Sequence, residues 1–322
     1  MQSNSFLGVD VSKTELVIAD AAAPRQTIRI ANRKRPVRKW LRALPSGPVI
    51  GVESTGSFHE LLVDLAHQQG VTVYLINPRA LFHYSQAVNR GRKTDPLDAD
   101  LIARYLVSEY ERLRPYVPPT PEERTLFRLY RQRAQVVRKK VDLGQSLREL
   151  DAVCRPALET ALAGLQQLVE ALEQRIKQLI SQDAERAALA KRLRTMPGFG
   201  PLTSAHLAVL LPRLRPHSAD AVVGYLGLDL QPRDSGQKLG LRRLSKQGPS
   251  ESRRLLYLAA QTATRTSPEW QAYYAACLKK GRAPTEAINI VARRLLRIAY
   301  ALYRQGTVYE AEYQRKILAS AT

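Results

Sequence analysis

The sequence predicts an α/β domain followed by a mostly helical chain, and three patterns indicate this class. Short β-rich runs alternate with runs of helical spacing over the first 110 residues or so. A proline-rich joint follows at 117–121, and beyond it β-branched residues become sparse. A chain of 322 residues is long enough for two or three domains, which we expect at 1–115, 116–190 and 191–322.

The first region begins with hairpin strands and continues with alternating helix and strand. Its predicted strands and helices, in chain order, are "SFLGVDVS", "TELVIAD", "RQTIRIA", the helix "RPVRKWLRAL", the buried strand "PVIGVEST", the helix "SFHELLVDLAHQQG" and the strand "VTVYLINP". Glycine and proline end the last two runs, as is typical of helix and strand stops. This order predicts a mixed sheet covered by helices.

The middle region carries an apolar seam with heptad spacing. Its members, at alternating spacings of four and three residues, are Leu158, Leu162, Leu165, Val169, Leu172, Ile176 and Leu179. Such a seam is typical of a coiled coil, and its narrow width favours an intermolecular one. An amphipathic hairpin packed on its own chain is the alternative.

The last region combines helical runs with two glycine-containing breaks. The "PGFG" turn at 197–200 separates two helical runs, and it could either approach a phosphate or be a plain structural turn. The stretch 227–252 is polar, basic and long, and such stretches inside compact domains are usually functional or disordered. We therefore expect a functional loop there.

The net charge of +21 indicates a polyanionic partner, because neutralising phosphates releases counterions. No apolar run approaches the ~18 residues of a membrane-spanning helix, and the N-terminus does not resemble a signal peptide. The two cysteines, Cys154 and Cys277, form no CxxC or Cys/His array, which argues against a disulfide framework and a zinc finger. We expect a cytoplasmic nucleic-acid protein without a membrane partner.

Four carboxylates stand at predicted strand and helix ends. Asp10 closes the first strand and Glu53 lies near the end of the buried strand, where open α/β sheets place their sites. Asp95 and Asp98 open a helix around Pro96, and capping alone explains these residue types. Capping does not explain four acids that could converge, and four such oxygens would hold one or two Mg²⁺ ions.

Basic residues flank these acids and fill two other segments. We expect nucleic-acid contacts from three groups: Arg90, Arg92 and Lys93; Arg124, Arg128, Arg131, Arg138, Lys139 and Lys140; and Arg233, Lys238, Arg242, Arg243 and Lys246. The run from Arg124 to Lys140 could equally be a solvated helix face. Asp100, the remaining acid of the helix start, is expected on its solvated surface.

Several motifs resemble the DEDD transposases of the insertion-sequence 110 family. They are "GVDVSK", "GVESTGSF", "INP", "KTDPLDA", "MPGFGPLTSAHLAVLL" and "GYLGLDLQPRDSG…LRRLSKQGPSESRRLLYLAA". Together they extend along most of the chain. The resemblance implies a ribonuclease-H-like (RuvC-like) mixed-sheet domain, a helical coiled-coil insertion and a mostly helical C-terminal transposase domain.

The resemblance also implies the chemistry. The family's metal-binding quartet falls on Asp10, Glu53, Asp95 and Asp98, and its nucleophilic serine falls on Ser235 in "PRDSG". The implied cofactors are Mg²⁺, with Mn²⁺ as a substitute, and a structured bridge RNA that pairs with donor and target DNA. A site shared between subunits implies a homo-oligomer, which is a dimer, or a tetramer in the synaptic complex. The resemblance also implies a prokaryotic protein associated with the nucleoid.

Three other functions remain open from the residues. A metal-dependent junction resolvase would use the carboxylates alone and leave no covalent protein–DNA adduct. An actin-like phosphotransferase also opens on "GVD", but it needs later glycine-rich phosphate loops, for which "GFGP" is no adequate substitute. A non-catalytic RNA-binding protein would be insensitive to the loss of Asp10 or Asp98. Because no histidine lies near Ser235 in sequence, we expect metal rather than a Ser–His–Asp triad to activate it.

Overall fold

The computed structural model shows two compact units, Met1–Pro118 and Pro119–Thr322, each with its own hydrophobic core. It describes residues 5–24, 26–45, 47–54, 56–88, 95–214, 216–232 and 242–310.

The first unit contains a five-stranded mixed sheet in the order β3-β2-β1-β4-β5. Its strands are β1 (Phe6–Val11), β2 (Glu15–Asp20), β3 (Thr27–Ala31), β4 (Val49–Glu53) and β5 (Thr72–Ile76). The first three strands pair antiparallel, whereas β4 pairs parallel with both β1 and β5. The predicted mixed sheet is confirmed, and it fits a ribonuclease-H-like N-terminal domain.

Helices cover both faces of this sheet. They are α1 (Lys34–Arg42), α2 (Glu60–Gln68), α3 (Pro78–Val88) and α4 (Asp95–Glu109), with a short 3₁₀ turn at Tyr110–Arg112. One core layer joins α1 and α2 to alternate residues of β1 and β4, among them Leu7 and Val9. The opposite face of the sheet packs on α3 and α4.

Helix α4 lies directly on β1 because Gly8 has no side chain. A β-carbon added to Gly8 would lie 2.2 Å from the carbonyl oxygen of Ala99 and 2.3 Å from the amide nitrogen of Ala103. Ala99 itself is fully buried with Val17 and Ala19 of β2. Small residues on both elements therefore permit a backbone-to-backbone approach.

The second unit is mostly helical. Its helices are α5 (Pro121–Ser146), α6 (Arg155–Ser181), α7 (Ala184–Leu193), α8 (Pro201–Leu214), α9 (Ala219–Tyr225), α10 (Ser250–Thr266), α11 (Pro268–Lys279) and α12 (Pro284–Gln305). A two-stranded ribbon of β6 (Leu230–Pro232) and β7 (Arg242–Leu244) lies between α9 and α10 in the chain. Buried residues of α8, α10 and α12 form much of the core.

The heptad seam of α6 packs against α5 of the same chain. Lys140 donates a 2.6 Å hydrogen bond to Gln166, and Arg133 pairs with Glu173 at 2.6 Å. Pairing of earlier α5 residues with later α6 residues is the antiparallel register of a hairpin. The described chain thus shows the hairpin alternative, and the intermolecular coiled coil stays a prediction.

Helix α5 begins at the segment "TPEE", where Thr120 and Glu123 cap its first turn. The Thr120 hydroxyl accepts from the Glu123 amide at 3.2 Å, and the Glu123 carboxylate accepts from the Thr120 amide at 3.0 Å. This reciprocal capping box satisfies two amides that otherwise lack partners at a helix start. Glu123 also pairs with Arg186 of α7 and Arg213 of α8, so the cap fixes three helices.

The "PGFG" turn contributes to packing between helices. Gly198 has φ of +78°, and a β-carbon there would lie 2.0 Å from the carbonyl oxygen of Ala259 in α10. The structural-turn alternative therefore accounts for this glycine.

We expect Gly8→Ala to lower the free energy of unfolding by at least about 3 kcal/mol, because the new methyl group meets helix backbone rather than a movable side chain. Thermal denaturation of the full chain measures this effect. Gly164→Ala is the matched control: among the described residues, no atom outside its own helix lies within 4 Å of the added β-carbon. It should stabilise the chain by up to about 1 kcal/mol. Equal effects of the two substitutions would contradict the close approach.

Candidate active site

Asp10 and Glu53 lie side by side at one edge of the sheet. β1 and β4 are parallel, and their residues Val9 and Val52 are register partners, so the next residue of each strand is one of these acids. Side chains alternate between faces along a strand, and Gly8 faces α4. Asp10 and Glu53 therefore project on the face that α4 covers, on neighbouring strands roughly 4.8 Å apart.

The first turn of α4 lies at the same edge. Ile102 packs on Gly51, two residues before Glu53, and Leu106 packs with Val49 at the other end of β4. The helix thus runs antiparallel to β4, and its start lies toward the carboxylate end of the strands. Asp98 is half-buried one turn before Ile102.

Asp95 begins α4 one turn before Ala99, which contacts Val17, the register partner of Asp10. The side chain of Asp95 lies outside the described residues. The structure therefore brings Asp10, Glu53 and the helix start of Asp98 to one sheet edge, and it leaves the fourth predicted ligand undescribed.

Asp10, Glu53 and Asp98 carry carboxylate oxygens, which are the ligands that Mg²⁺ and other hard divalent cations prefer. Among the described residues, no three side chains of His, Cys, Asp or Glu are close enough together to hold a metal ion. Asp10, Glu53 and Asp98 therefore do not form a closed ligand set in this arrangement. The pair of acids on neighbouring strands is the part of the predicted site that the geometry supports.

Asp100 is buried rather than solvated, so the expectation for this residue is wrong. Its side chain is only 6% exposed and pairs with Arg104 at 2.7 Å. Within the described part of the chain, its Oδ1 atom has no hydrogen-bond partner. The physical reason is that α4 packs closely along β1 and β2, so flanking positions of the helix are also covered.

Several predicted nucleic-acid contacts and the predicted nucleophile fall outside the described residues. They are Arg90, Arg92, Lys93, Arg233, Ser235 and Lys238. Arg242 belongs to β7, but its side chain is likewise not described, whereas Arg243 and Lys246 are exposed.

The two strands that flank the stretch with Ser235 form a clamped ribbon. Leu230 of β6 pairs with Leu244 of β7. Beside this pair, the Ser245 amide donates to the carbonyl oxygen of Asp229 at 3.0 Å. The Ser245 hydroxyl donates to the Asp229 carboxylate as well. Two bonds between the same two residues hold the base of the ribbon together.

Close backbone contacts extend this clamp toward α10. A β-carbon on Gly248 would lie 2.0 Å from the carbonyl oxygen of Tyr225. Arg253 of α10 donates to the carbonyl oxygens of both Leu226 and Gly248. Sequence reasoning missed this arrangement, although the glycines of "GYLG" and "SKQG" are the signal that could have indicated it.

Four of the predicted basic residues of α5 form an exposed group, which we name the α5 basic stripe: Arg128, Arg131, Arg138 and Lys139. The other two have partners within the fold. Arg124 donates to the carbonyl oxygen of Pro119 at 3.2 Å, and Lys140 donates to Gln166. Of these six residues of α5, the four of the stripe are therefore the ones exposed to a polyanion.

His206 of α8 forms a buried pair with Ser252 of α10. Its Nε2 atom lies 2.7 Å from the Ser252 hydroxyl, and the Tyr130 ring stands edge-on at 4.7 Å. Burial without a countercharge lowers the pKa of His206 to about 4. This histidine therefore packs between the helices as a neutral ring, and its Nε2 atom already has Ser252 as its partner.

Two family models match the chain over most of its length. One, described as an IS110-type DEDD transposase, covers residues 7–153, and the other, described as the transposase of the IS116/IS110/IS902 family, covers residues 190–275. The chain belongs to the IS110 family of DEDD transposases. The first match therefore spans both strand-end acids, Asp10 and Glu53, and helix α4, which follows them.

Curated relatives of this IS110-family transposase match it from end to end. The pilin gene-inverting protein of Moraxella bovis is 27% identical over 96% of this chain and 98% of its own length. The transposase for insertion sequence element IS1328 of Yersinia enterocolitica is 25% identical over 96% and 99%. The transposase is accordingly a DNA recombinase, and DEDD membership suggests dependence on a divalent metal. These findings contradict the actin-like and non-catalytic alternatives.

No helix within the described residues of the transposase is both long and apolar enough to cross a membrane.

We expect the stability of the transposase to fall as pH drops from about 6.5 toward 4. The folded state keeps His206 neutral until pH nears 4, whereas the unfolded chain binds its proton near 6.5. The loss should reach about 3 kcal/mol, at roughly 1.4 kcal/mol per unit of pKa difference. Urea unfolding between pH 4 and 7.5 measures it.

The control for this prediction is His206→Gln, which keeps a polar group near Ser252 but cannot titrate. The variant should lack this part of the pH dependence, whatever its stability at pH 7.5. Parallel pH profiles for the two proteins would show that His206 is not responsible.

Proposed function

We propose that this transposase cuts and exchanges strands of donor and target DNA under the guidance of a structured bridge RNA. The observation that carries the proposal is the position of Asp10 and Glu53 on neighbouring strands, on the face covered by α4. Two acids at adjacent strand ends, next to a helix that starts with Asp95 and Asp98, are a suitable scaffold for metal-assisted phosphodiester chemistry.

In this proposal Asp10, Glu53, Asp95 and Asp98 hold Mg²⁺, or Mn²⁺ in its place. Bound there, the ion supplies positive charge that favours an alkoxide nucleophile and a leaving oxygen. The protein contributes the alignment of the acids, because a sheet edge and a packed helix are rigid elements. Such alignment lowers the cost of organising the site during the reaction.

The proposed nucleophile is Ser235. Its Oγ atom attacks the scissile phosphorus, the phosphorus–oxygen bond of the DNA strand breaks, and the departing strand carries away a hydroxyl group. A hydroxyl of another strand then attacks the serine ester, which restores a phosphodiester and frees the serine. The ester retains the bond energy of the broken strand, so no ATP is needed. The clamped ribbon that flanks Ser235 supports this role.

We further propose that the acids of one subunit meet Ser235 of another, in a dimer or in a tetramer at synapsis. Exposed apolar residues of the α5–α6 hairpin support self-association. Val141 of α5 is 48% exposed, Leu168 of α6 is 47% exposed, and Val153 in the loop between them is 88% exposed. Contact with a second subunit would remove such side chains from water.

The α5 basic stripe supports RNA binding in this proposal. Its guanidinium and ammonium groups can neutralise phosphates without reading a sequence. Aromatic residues make up only 7% of the chain, so recognition of RNA shape should outweigh base stacking. Sequence specificity then comes from base pairing by the RNA.

A metal-dependent nuclease that acts like a junction resolvase is the second candidate. It is favoured by one observation: Asp10, Glu53 and Asp98 all belong to the first unit, whereas Ser235 belongs to the second. A metal site complete in one unit could direct water to the phosphate without the serine. Such an enzyme would leave no protein–DNA adduct.

We expect Asp10→Asn and Glu53→Gln each to lower DNA cleavage at least ~100-fold, because each removes a charged metal ligand. Ser235→Ala should abolish both strand joining and the covalent adduct seen on denaturing gels with labelled donor DNA. Asp20→Asn is the matched control, since Asp20 ends β2 at the opposite sheet edge and caps Ala22 there. Cleavage that persists in Ser235→Ala would support the resolvase-like alternative.

We expect the triple variant Arg128→Gln, Arg131→Gln and Arg138→Gln to bind RNA ~10-fold or more weakly, with the RNA that copurifies with the transposase as the probe. The slope of log affinity against log salt should fall by about one for each phosphate that the variant no longer neutralises. The control removes three charges from α6 instead, through Arg155→Gln, Arg175→Gln and Lys177→Gln. An equal loss of RNA affinity in the α5 and α6 variants would contradict a specific role of the stripe.

A further inference from the structure

Asn32 joins the two loops that follow the strand-end acids. It comes directly after β3 and before α1, so it belongs to neither strand that carries an acid. Its side-chain amide donates to the carbonyl oxygen of Ser12 at 2.9 Å and to the carbonyl oxygen of Phe58 at 3.1 Å. Ser12 follows Asp10 by two residues, and Phe58 lies in the loop after Glu53.

The remaining bonds of Asn32 make this link rigid. Its backbone amide donates to the carbonyl oxygen of Thr14 at 2.9 Å, in the same turn as Ser12. That turn is itself closed, because the Ser12 hydroxyl accepts from the Glu15 amide at 3.0 Å. The Asn32 side chain therefore connects an ordered turn after β1 to the start of the chain segment that leads into α2.

The identity of the residue matters because both partners are carbonyl oxygens, which only accept. A single NH₂ group carries two hydrogens, and Asn32 uses it to reach two acceptors from different loops. Its Oδ1 atom is buried and, among the described residues, has no hydrogen-bond partner. A buried acceptor without a partner is unfavourable, so a structural role for this amide has to rest on its two donated bonds.

We propose that Asn32 is a positioning residue of the carboxylate site. It sets the separation of Asp10 and Glu53 because its amide bonds to both of the loops that follow these acids. The paired register of β1 and β4 ends at Val9 and Val52, one residue before the acids. The amide link acts beyond that point, where the strands separate into different loops. This inference rests on the proposed metal-dependent function, and it adds a residue outside the predicted quartet.

The test is a Mn²⁺ titration of the full chain, in which electron paramagnetic resonance measures the free ion. Asn32→Leu keeps the approximate shape of the side chain and removes both donated bonds. We expect its Mn²⁺ midpoint to rise ~10-fold or more, as for other groups that orient metal ligands. DNA cleavage should return to within about threefold of the parent rate at saturating Mn²⁺.

Asn289→Leu is the matched control, because the Asn289 amide donates to the carbonyl oxygen of Thr285 inside α12. It should leave the Mn²⁺ midpoint unchanged. Asn32→Ser retains one donor on a shorter side chain, and we expect an intermediate midpoint. This variant also tests the inference if Asn32→Leu does not fold.

The outcomes separate this inference from the proposed function. A lower melting temperature with a parental Mn²⁺ midpoint in the Asn32 variants would overturn the positioning role alone, provided that Asp10→Asn shifts the midpoint. A parental midpoint in Asp10→Asn would mean that the metal does not bind at these acids, and both proposals would fail. A raised midpoint in Asn32→Leu, Asn32→Ser and Asp10→Asn, but not in Asn289→Leu, supports both.

Discussion

The close approach of α4 to β1 is the constraint on which the candidate site depends. Gly8 allows the helix backbone to lie on the strand, and the small side chains of Ala99 and Ala103 permit the same close approach from the helix. Because the helix runs antiparallel to the parallel strands, its start lies at the strand ends where Asp10 and Glu53 project. A larger residue at the crossing would move the helix start away from these acids, so packing and chemistry are coupled at one glycine.

The two units organise their functional segments by the same physical means. In the first, the Asn32 amide ties the loops behind two acids; in the second, Asp229 and Ser245 close the base of the ribbon that flanks Ser235. Both devices use buried or half-buried polar groups that bond across loops distant in sequence. Directional bonds of this kind hold short loops in one geometry, which apolar packing alone does not achieve.

Much of the first unit and part of the site could be predicted from sequence. Strand runs and glycine and proline stops act locally, so they can be identified without a structure. Asp100 was placed wrongly because its burial depends on how closely α4 lies on the sheet. Arg124 and Lys140 looked like surface charges, although Pro119 and Gln166 bind them, since such partners appear only when distant segments meet.

The sequence by itself determined the order of strands and helices, the strongly basic charge and the motifs that indicate an IS110-type transposase. Only the tertiary structure decided that the α6 seam packs on α5 of the same chain, that His206 is a buried partner of Ser252 and that Asn32 joins the loops behind the acids. The physical reason is range: propensities and caps act within a few residues, whereas burial and bonds between loops depend on which segments the fold brings into contact.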